Sequence, residues 1–180
     1  MRRSVAAPLC AALLLLLCAC DTGPGLSLRL FCERYTAHGR GGSETLAVTQ
    51  FFAEPQCEGG NLKYAAYSGS GYITCEALKN GRLHTVSLTA PPDGTQSGFS
   101  AASLCLVKAF TKLPADETER IFGELGVGQM PVLGLRMLER GGFRFCYAAN
   151  EAGRYLRVSS LRELPPEREL ATLREFITER

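Results

Sequence analysis

Cysteine is the residue type with the greatest potential for chemistry in this chain of 180 residues, which contains eight cysteines. A thiolate attacks electrophiles, binds soft metals and forms disulfides, so the surroundings of each cysteine decide what it does. Cys20 directly follows an apolar segment near the N-terminus. Five others are spread over the rest of the chain: Cys32, Cys57, Cys75, Cys105 and Cys146. We expect Cys20 to be a modification site and the others to be structural.

No other residue type forms a catalytic or metal-binding motif. His38 and His84 are the only histidines, and neither has a cysteine or aspartate at metal-ligand spacing. After residue 19 there is no H-E-x-x-H, no C-x-x-C and no phosphate-binding loop. We therefore expect no metal, no cofactor and no enzymatic activity. A thiol enzyme that uses Cys75 with His38 and Arg82 ranks third among the functional alternatives.

The N-terminus has the pattern of a lipoprotein leader. Two arginines precede the apolar run Leu9–Ala19, whose 11 residues are too few to cross about 30 Å of hydrocarbon as a helix. The end of this run, Leu17–Cys20, resembles a bacterial lipobox. That resemblance implies a signal peptide over residues 1–19, a lipidated Cys20 (carrying palmitate) and a short tether over residues 20–25. An ordinary secretory signal is the alternative.

Charge and location follow from this leader. Loss of Arg2 and Arg3 lowers the basic residues from 20 to 18, which equals the 18 acidic residues. A neutral chain is not typical of a nucleic-acid-binding protein, and a charged fraction of 21% does not indicate long disorder. We expect a membrane-anchored protein of the bacterial cell envelope that faces the periplasm. Whether the anchor lies in the outer or the inner membrane is left open.

The rest of the chain contains an internal repeat. Three pairs of segments align at offsets of 73, 71 and 72 residues: 26–32 with 99–105, 71–77 with 142–148, and 81–87 with 153–159. Shared cysteines, glycines and prolines suggest duplication. The predicted fold class is α+β, a tandem duplication of a helix-helix-three-stranded antiparallel sheet unit plus a C-terminal helix. The units span residues 26–97 and 98–164, and the helix spans residues 165–180.

Local signals predict the elements of each unit. Ser100 would cap a helix that ends near Thr111, and Pro114 would open a second helix that stops at Gly126. By alignment, the matching helix of the first unit runs from Ser43 to Pro55. Asn80-Gly81 between alternating runs predicts a type I′ hairpin. The C-terminal helix carries one apolar stripe, formed by Leu170, Leu173, Phe176 and Ile177.

The predicted unit resembles the BamE (SmpA/OmlA) lipoproteins, which take part in the assembly of outer-membrane β-barrels. The resemblance rests on a helix that ends near Pro55, a strand with Tyr64 and Tyr67, and a hairpin at Gly81. A tandem pair of such units is similar to the β-lactamase inhibitory protein, which binds through a concave sheet. The resemblance implies an envelope protein as partner, with this chain acting as an assembly accessory or an inhibitor.

The repeat also suggests a disulfide pattern. Pairing of equivalent cysteines gives Cys32–Cys75 and Cys105–Cys146, with Cys57 left over. Each bond would join the first helix of a unit to its second strand and contribute about 2–4 kcal/mol. Cys75–Cys105 with Cys32–Cys146, and Cys57–Cys75, are the alternatives.

Strand alternation then predicts an interface. If Cys75 and Cys146 point at the helices, the opposite sheet face carries aromatic residues and an arginine, which protein interfaces favour. The predicted protein-binding residues are Tyr72, Phe143, Phe145, Tyr147, Tyr155 and Arg157. The alternative is that the aromatic residues form the core and Cys146 faces outward. A second functional hypothesis is a periplasmic binder of a small ligand or a cell-wall fragment.

Overall fold

A computed structural model gives the structure of the protein. It describes residues 26–40, 46, 48, 51–54, 62–68, 71–129 and 132–162. The predicted signal peptide and tether, the lipidation site Cys20, the fifth cysteine Cys57 and the predicted C-terminal helix lie outside the described residues.

The described residues form eight strands and three helices. In chain order, the elements are β1 (Leu26–Ser27), α1 (Leu28–Gly39), β2 (Phe52–Glu54), β3 (Leu62–Ser68), β4 (Gly71–Ala77), β5 (Arg82–Ala90), α2 (Gln96–Thr111), α3 (Ala115–Leu125), β6 (Val132–Arg140), β7 (Phe143–Asn150) and β8 (Gly153–Ser160).

All strands belong to one antiparallel sheet. Its order is β2-β3-β4-β5-β8-β7-β6, and the short β1 pairs with the start of β5. The two halves of the chain meet where β5 pairs with β8 over six residues, with Val86 opposite Val158. The offset of 72 residues in the sequence aligns these same two valines. The helices pack on one face of the sheet, and the hydrophobic core lies between the two layers.

The predicted fold class is therefore wrong. The structure is a single sheet in which seven strands follow one path, with three helices among the described residues, and not two helix-helix-three-strand units. In the first half, Phe52–Glu54 lies inside the predicted helix Ser43–Pro55 but forms β2, which pairs with β3. Leu46 and Val48 belong to no helix or strand. Pairing at the edge of the sheet determined this segment's conformation, which local propensity left ambiguous.

The helices of the second half agree better with the limits predicted from the sequence. Helix α3 begins after Pro114 and ends at Gly126, whose φ of 71° is the left-handed conformation that glycine adopts readily. Helix α2 ends at Thr111 as predicted but begins four residues before Ser100. The hydroxyl of Thr95 caps it by accepting a hydrogen bond from the Gly98 amide at 3.2 Å.

The hairpin at Asn80-Gly81 is confirmed, but its turn type is not. The Gly81 amide donates to the Leu78 carbonyl at 2.8 Å, and only Gly81 in this turn has a positive φ. This is a type I turn followed by a left-handed glycine. The type I′ geometry instead fits the next hairpin, where Gly141 and Gly142 have φ of 61° and 82° between β6 and β7.

Aromatic side chains of both layers meet in the core. Phe31 and Tyr35 of α1 are fully buried, and the Tyr35 hydroxyl shares a hydrogen bond of 2.9 Å with Ser68. On α2, the ring of Phe99 lies 6.1 Å from that of Tyr147, and the ring of Phe110 lies 5.5 Å from that of Phe143. Burial of rings of this size supplies much of the hydrophobic stabilisation of a small domain.

A substitution at Gly153, at the start of β8, tests the backbone conformation there and its close approach to Ala90. Its φ is 138°, and a Cβ atom there would lie 2.3 Å from the Ala90 carbonyl oxygen. We expect Gly153→Ala to lower the free energy of unfolding, measured by urea denaturation, by about 2–4 kcal/mol. Gly123→Ala is the control, because its Cβ meets nothing within 4 Å inside a helix and should be neutral or stabilising. Equal unfolding midpoints for the two variants would contradict this turn geometry.

Candidate functional site: the open face of the sheet

We call the sheet surface opposite the three helices the open face. Strand alternation assigns its residues, because Ile73, Cys75 and Ala77 of β4 belong to the core and their neighbours point the other way. The strand registers extend the assignment across the sheet. The open face includes Phe52, Tyr67, Tyr72, Thr74, Glu76, Thr85, Ser87, Tyr155, Arg157, Ser159, Cys146, Arg144 and Met137.

Three of the predicted interface residues lie on the open face. Tyr72 is on β4, and Tyr155 and Arg157 are on β8, two strands away. The prediction that Cys75 faces the helices and Tyr72 faces the opposite side of the sheet is thus correct for β4. Protein binding by these three residues stays a prediction.

The other three predicted interface residues are on the wrong face. Phe143, Phe145 and Tyr147 of β7 are buried in the core beneath α2. Cys146 lies between them in sequence and points to the open face, where it pairs with Arg157 and Met137 across the neighbouring strands. For β7 the alternative prediction is correct: the aromatic residues form the core and Cys146 faces outward.

A one-residue slip in the repeat alignment explains this error. Cys75 pairs with Val86, and Phe145 pairs with Val158, the valine that corresponds to Val86. The structural counterpart of Cys75 is therefore Phe145, whereas the sequence alignment chose the neighbouring Cys146. Because side chains alternate along a strand, a shift of one residue exchanges the two faces.

Polar side chains occupy the centre of the open face. We call this group the polar strip; it consists of Thr74, Glu76, Thr85, Ser87, Tyr155, Arg157 and Ser159. Arg157 Nε donates to Ser159 Oγ at 3.4 Å, and Arg157 Nη2 lies 3.6 Å from Glu76 Oε1. The Thr85 hydroxyl donates to Ser159 Oγ at 3.3 Å, and the hydroxyls of Thr74 and Ser87 share a short hydrogen bond. The strip is a connected network across β4, β5 and β8.

Burial determines the electrostatics of the polar strip. It raises the pKa of the Tyr155 hydroxyl, and the nearby Arg157 guanidinium partly offsets this rise. Tyr155 is therefore a neutral phenol at physiological pH. The strip places a guanidinium that is 4% exposed next to a phenol and several hydroxyls, and these groups form hydrogen bonds with one another.

Exposed aromatic residues flank the strip on the β2 side. Tyr67 is 71% exposed and Phe52 is 55% exposed. The ring of Tyr67 meets that of Tyr72 edge to face, with centroids 5.3 Å apart. We call Phe52, Tyr67 and Tyr72 the aromatic edge. The sequence prediction used Tyr67 only as a mark of the strand, although alternation from Tyr72 through the hairpin would have placed it on this face.

The four described cysteines are all thiols. The predicted pair Cys105–Cys146 is wrong, because Cys105 lies in the helix layer, Cys146 lies on the open face and the sheet separates them. Cys32 and Cys75 lie on the same side of the sheet. Burial raises the pKa of the Cys75 thiol most strongly, and the nearby Cys32 and Glu76 raise it further. Both are thiols in this structure, so the Cys32–Cys75 disulfide stays a prediction for the oxidised protein.

The residues of the proposed thiol-enzyme arrangement do not suit catalysis. Cys75 is fully buried with a raised pKa, whereas a nucleophilic cysteine needs a lowered pKa and access to substrate. His38 is exposed near the end of α1. His84, which is not part of that arrangement, is buried, with Nδ1 at 3.0 Å from the Thr85 hydroxyl.

Among the described residues, no three histidine, cysteine or acidic side chains come together in a group that could hold a metal ion. Within the same ranges, none of the helices has the length and apolar composition needed to span a membrane.

Comparisons with known proteins give no match, whether with protein-family models, curated proteins or solved structures. The resemblance to the BamE lipoproteins, drawn from Pro55, Tyr64, Tyr67 and Gly81, therefore stays a prediction.

Loss of the Arg157 charge should destabilise the fold. Its side chain is 4% exposed, and Arg157→Met would leave Glu76 and Ser159 without their guanidinium partner. We expect the free energy of unfolding in urea to fall by about 2–4 kcal/mol. Arg29→Met is the control, because Arg29 is 90% exposed in its pair with Glu33 and such pairs contribute at most about 1 kcal/mol. Equal losses would contradict the burial of the strip.

Peptide mapping under non-reducing conditions tests the cysteine assignments. After expression in an oxidising compartment, we expect a peptide that joins Cys32 to Cys75 and none that joins Cys105 to Cys146. The second expectation follows from the face of Cys146. Recovery of a Cys105–Cys146 peptide from folded protein would contradict the register of β7.

Proposed function

We propose that this chain is a non-enzymatic lipoprotein of the bacterial cell envelope that binds another envelope protein through the open face of its sheet. The proposed activity is that of an assembly accessory or an inhibitor. In this proposal, the open face contacts the surface of a folded partner protein.

The aromatic edge is the observation that carries this proposal. Five large hydrophobic side chains are exposed among the described residues. Phe52, Tyr67 and Met137 lie on the open face, whereas Leu30 lies on α1 and Leu62 lies on the other face of β3. Tyrosine and phenylalanine bury large areas with few rotatable bonds and are common hot spots of protein interfaces. Exposure of such residues together on one face supports a protein partner.

The polar strip holds the strands beside the aromatic edge in a fixed arrangement. Arg157 and Tyr155 are held by hydrogen bonds within the sheet, so their positions do not depend on a partner. The shape of a seven-stranded face also suits a broad partner better than a small ligand.

A small-ligand site has weaker support in the described part of the chain. A cavity lined by Leu46, Gly98 and Phe99 has a volume of about 10 Å³, which holds roughly one water molecule. Ligand pockets are typically larger than about 300 Å³.

Photo-cross-linking in cells tests the proposed interface. With p-benzoylphenylalanine in place of Tyr67, we expect a discrete adduct whose partner, identified by mass spectrometry, is an envelope protein. Phe52→Ala in the same chain should lower the adduct yield about tenfold, because loss of an interface aromatic costs about 1–2 kcal/mol or more.

The matched control places the same cross-linker at Leu30, an exposed apolar residue of α1 that is not on the sheet. No adduct is expected there. The proposal is contradicted if position 67 gives no adduct, or if positions 30 and 67 give the same ones.

The membrane anchor is tested separately at Cys20. We expect the wild-type protein to incorporate a labelled fatty acid and to sediment with membranes. Cys20→Ser should lose both properties, because acylation is the only predicted anchor. A Cys20→Ser protein that still sediments with membranes would contradict lipidation as the anchor.

A further inference from the structure

Arg154, near the start of β8, is a buried positive charge. It is 7% exposed and lies on the side of the sheet that carries the helices, as does Leu156 two residues later. Its Nη1 donates to the Gly94 carbonyl at 2.8 Å, whereas its Nε is buried and has no hydrogen-bond partner among the described residues. No carboxylate in the described part of the chain forms an ion pair with it. A buried charge without a counter-ion is costly.

Two arginines on the open face show the contrast. The side chains of Arg144 and Arg157 are 12% and 4% exposed, and they form ion pairs with Glu139 and Glu76. The sequence thus supplies a carboxylate where a guanidinium is shielded on that face. It supplies none from the described residues to Arg154, which leaves room for an anion from outside the chain.

A second arginine lies near Arg154 on the same side of the sheet. Arg136 of β6 is opposite Tyr147 of β7, and Arg154 lies on β8, the other neighbour of β7. Burial raises the pKa of the Tyr147 hydroxyl, while the Gly128 backbone and the guanidinium groups of Arg154 and Arg136 partly offset this rise. Both positive charges therefore act on the same buried hydroxyl.

Arg136 is able to reach a bound anion. It is exposed, and the hydrogen bond that it donates to the Leu125 carbonyl is long, at 3.4 Å. No carboxylate of the described ranges pairs with it either. The backbones of β6 and β8 are about 10 Å apart, a distance that two arginine side chains can bridge with one anion between them.

The N-terminus of α2 adds positive potential at this place. Arg154 contacts Gly94, two residues before Gln96, where this helix of 16 residues begins. Its first turn contains no acidic residue. The aligned peptide groups place about half a positive charge at such an end, which favours anions. The loop after α3 lies against the same turn, since a Cβ atom on Gly128 would be 3.7 Å from Gln96 Nε2.

We propose that Arg154, Arg136 and the N-terminus of α2 form a binding site for a phosphate group. Guanidinium groups bind phosphate oxygens through paired N–H donors, and two of them beside a helix N-terminus match the charge of a dianion. One phosphate group needs less space than the pocket of a larger ligand. The proposal goes beyond the proposed function and does not depend on it, because this site lies on the helix side, opposite the open face.

Calorimetric titration of the full chain with inorganic phosphate tests the site, with sodium chloride of equal ionic strength as the reference. We expect phosphate to bind and to raise the urea unfolding midpoint, because it binds only the folded chain. Arg154→Met and Arg136→Gln should each weaken phosphate affinity about tenfold or more, since each removes charge-assisted hydrogen bonds. If Arg154→Met does not fold, the exposed Arg136 decides the question.

The matched control is Arg120→Gln on α3. Its side chain is 61% exposed, in a pair with Glu117, so the variant loses the same charge away from the site. Phosphate affinity should not change. An equal loss of affinity in Arg120→Gln and Arg136→Gln would overturn the proposal, because binding would then reflect only the net charge of the surface.

The phosphate group can belong to a soluble compound or to a lipid headgroup, and vesicles separate these sources. This arm uses the Cys20→Ser chain, so that no lipid anchor contributes. Sedimentation with phosphatidylcholine vesicles that contain phosphatidic acid, and its loss in Arg136→Gln, would assign the site to a headgroup. Binding of inorganic phosphate without sedimentation would assign it to soluble phosphate compounds. Absence of both would overturn the proposal.

Discussion

The antiparallel pairing of β5 with β8 is the interaction on which the rest of the structure depends. It joins the two halves of the chain through six consecutive residue pairs, from Thr85–Ser159 to Ala90–Arg154. Without it, each half would present an unpaired edge, which invites aggregation or pairing with other chains. With it, both strands become central strands, and the helices share one core on one side of a continuous sheet.

The register of this pair also decides the composition of both faces. Val86 opposite Val158 and Leu88 opposite Leu156 belong to the core, while Ser87 opposite Arg157 belongs to the open face. Buried hydroxyl and guanidinium groups are tolerated only when they are hydrogen-bonded. The network around Arg157 meets this condition, so the constraint that holds the sheet together also holds the polar strip in place.

The sequence predicts the local elements better than their assembly. Pro114 and Gly126 mark the limits of α3, and Asn80-Gly81 correctly predicts a hairpin, because these signals act within a few residues. Tertiary pairing decides the remainder. The segment at Phe52 becomes a strand because β3 offers an edge, and no local pattern shows that the two halves share one sheet.

In the candidate site, too, local sequence patterns predict some features and tertiary pairing decides the others. Alternation from Cys75 places Tyr72 and Glu76 correctly on the open face, because β4 is regular there. The assignment of Cys146 to the same face as Cys75 is wrong. It relied on a repeat alignment that is one residue out of register, and such a shift exchanges the two faces of β7. The exposure of Tyr67 and Phe52 depends on their position near the edge of the sheet, which the sequence does not encode locally.

The most direct test of this account is a measurement of the β5–β8 register by cross-strand nuclear Overhauser effects in isotopically labelled protein. The account predicts backbone contacts of Val86 with Val158 and of Ser87 with Arg157. Contacts shifted by one residue, such as Val86 with Arg157, would contradict it, because that register turns Arg157 into the core. An absence of any contact between the two strands would also contradict it, since the halves would then form separate sheets.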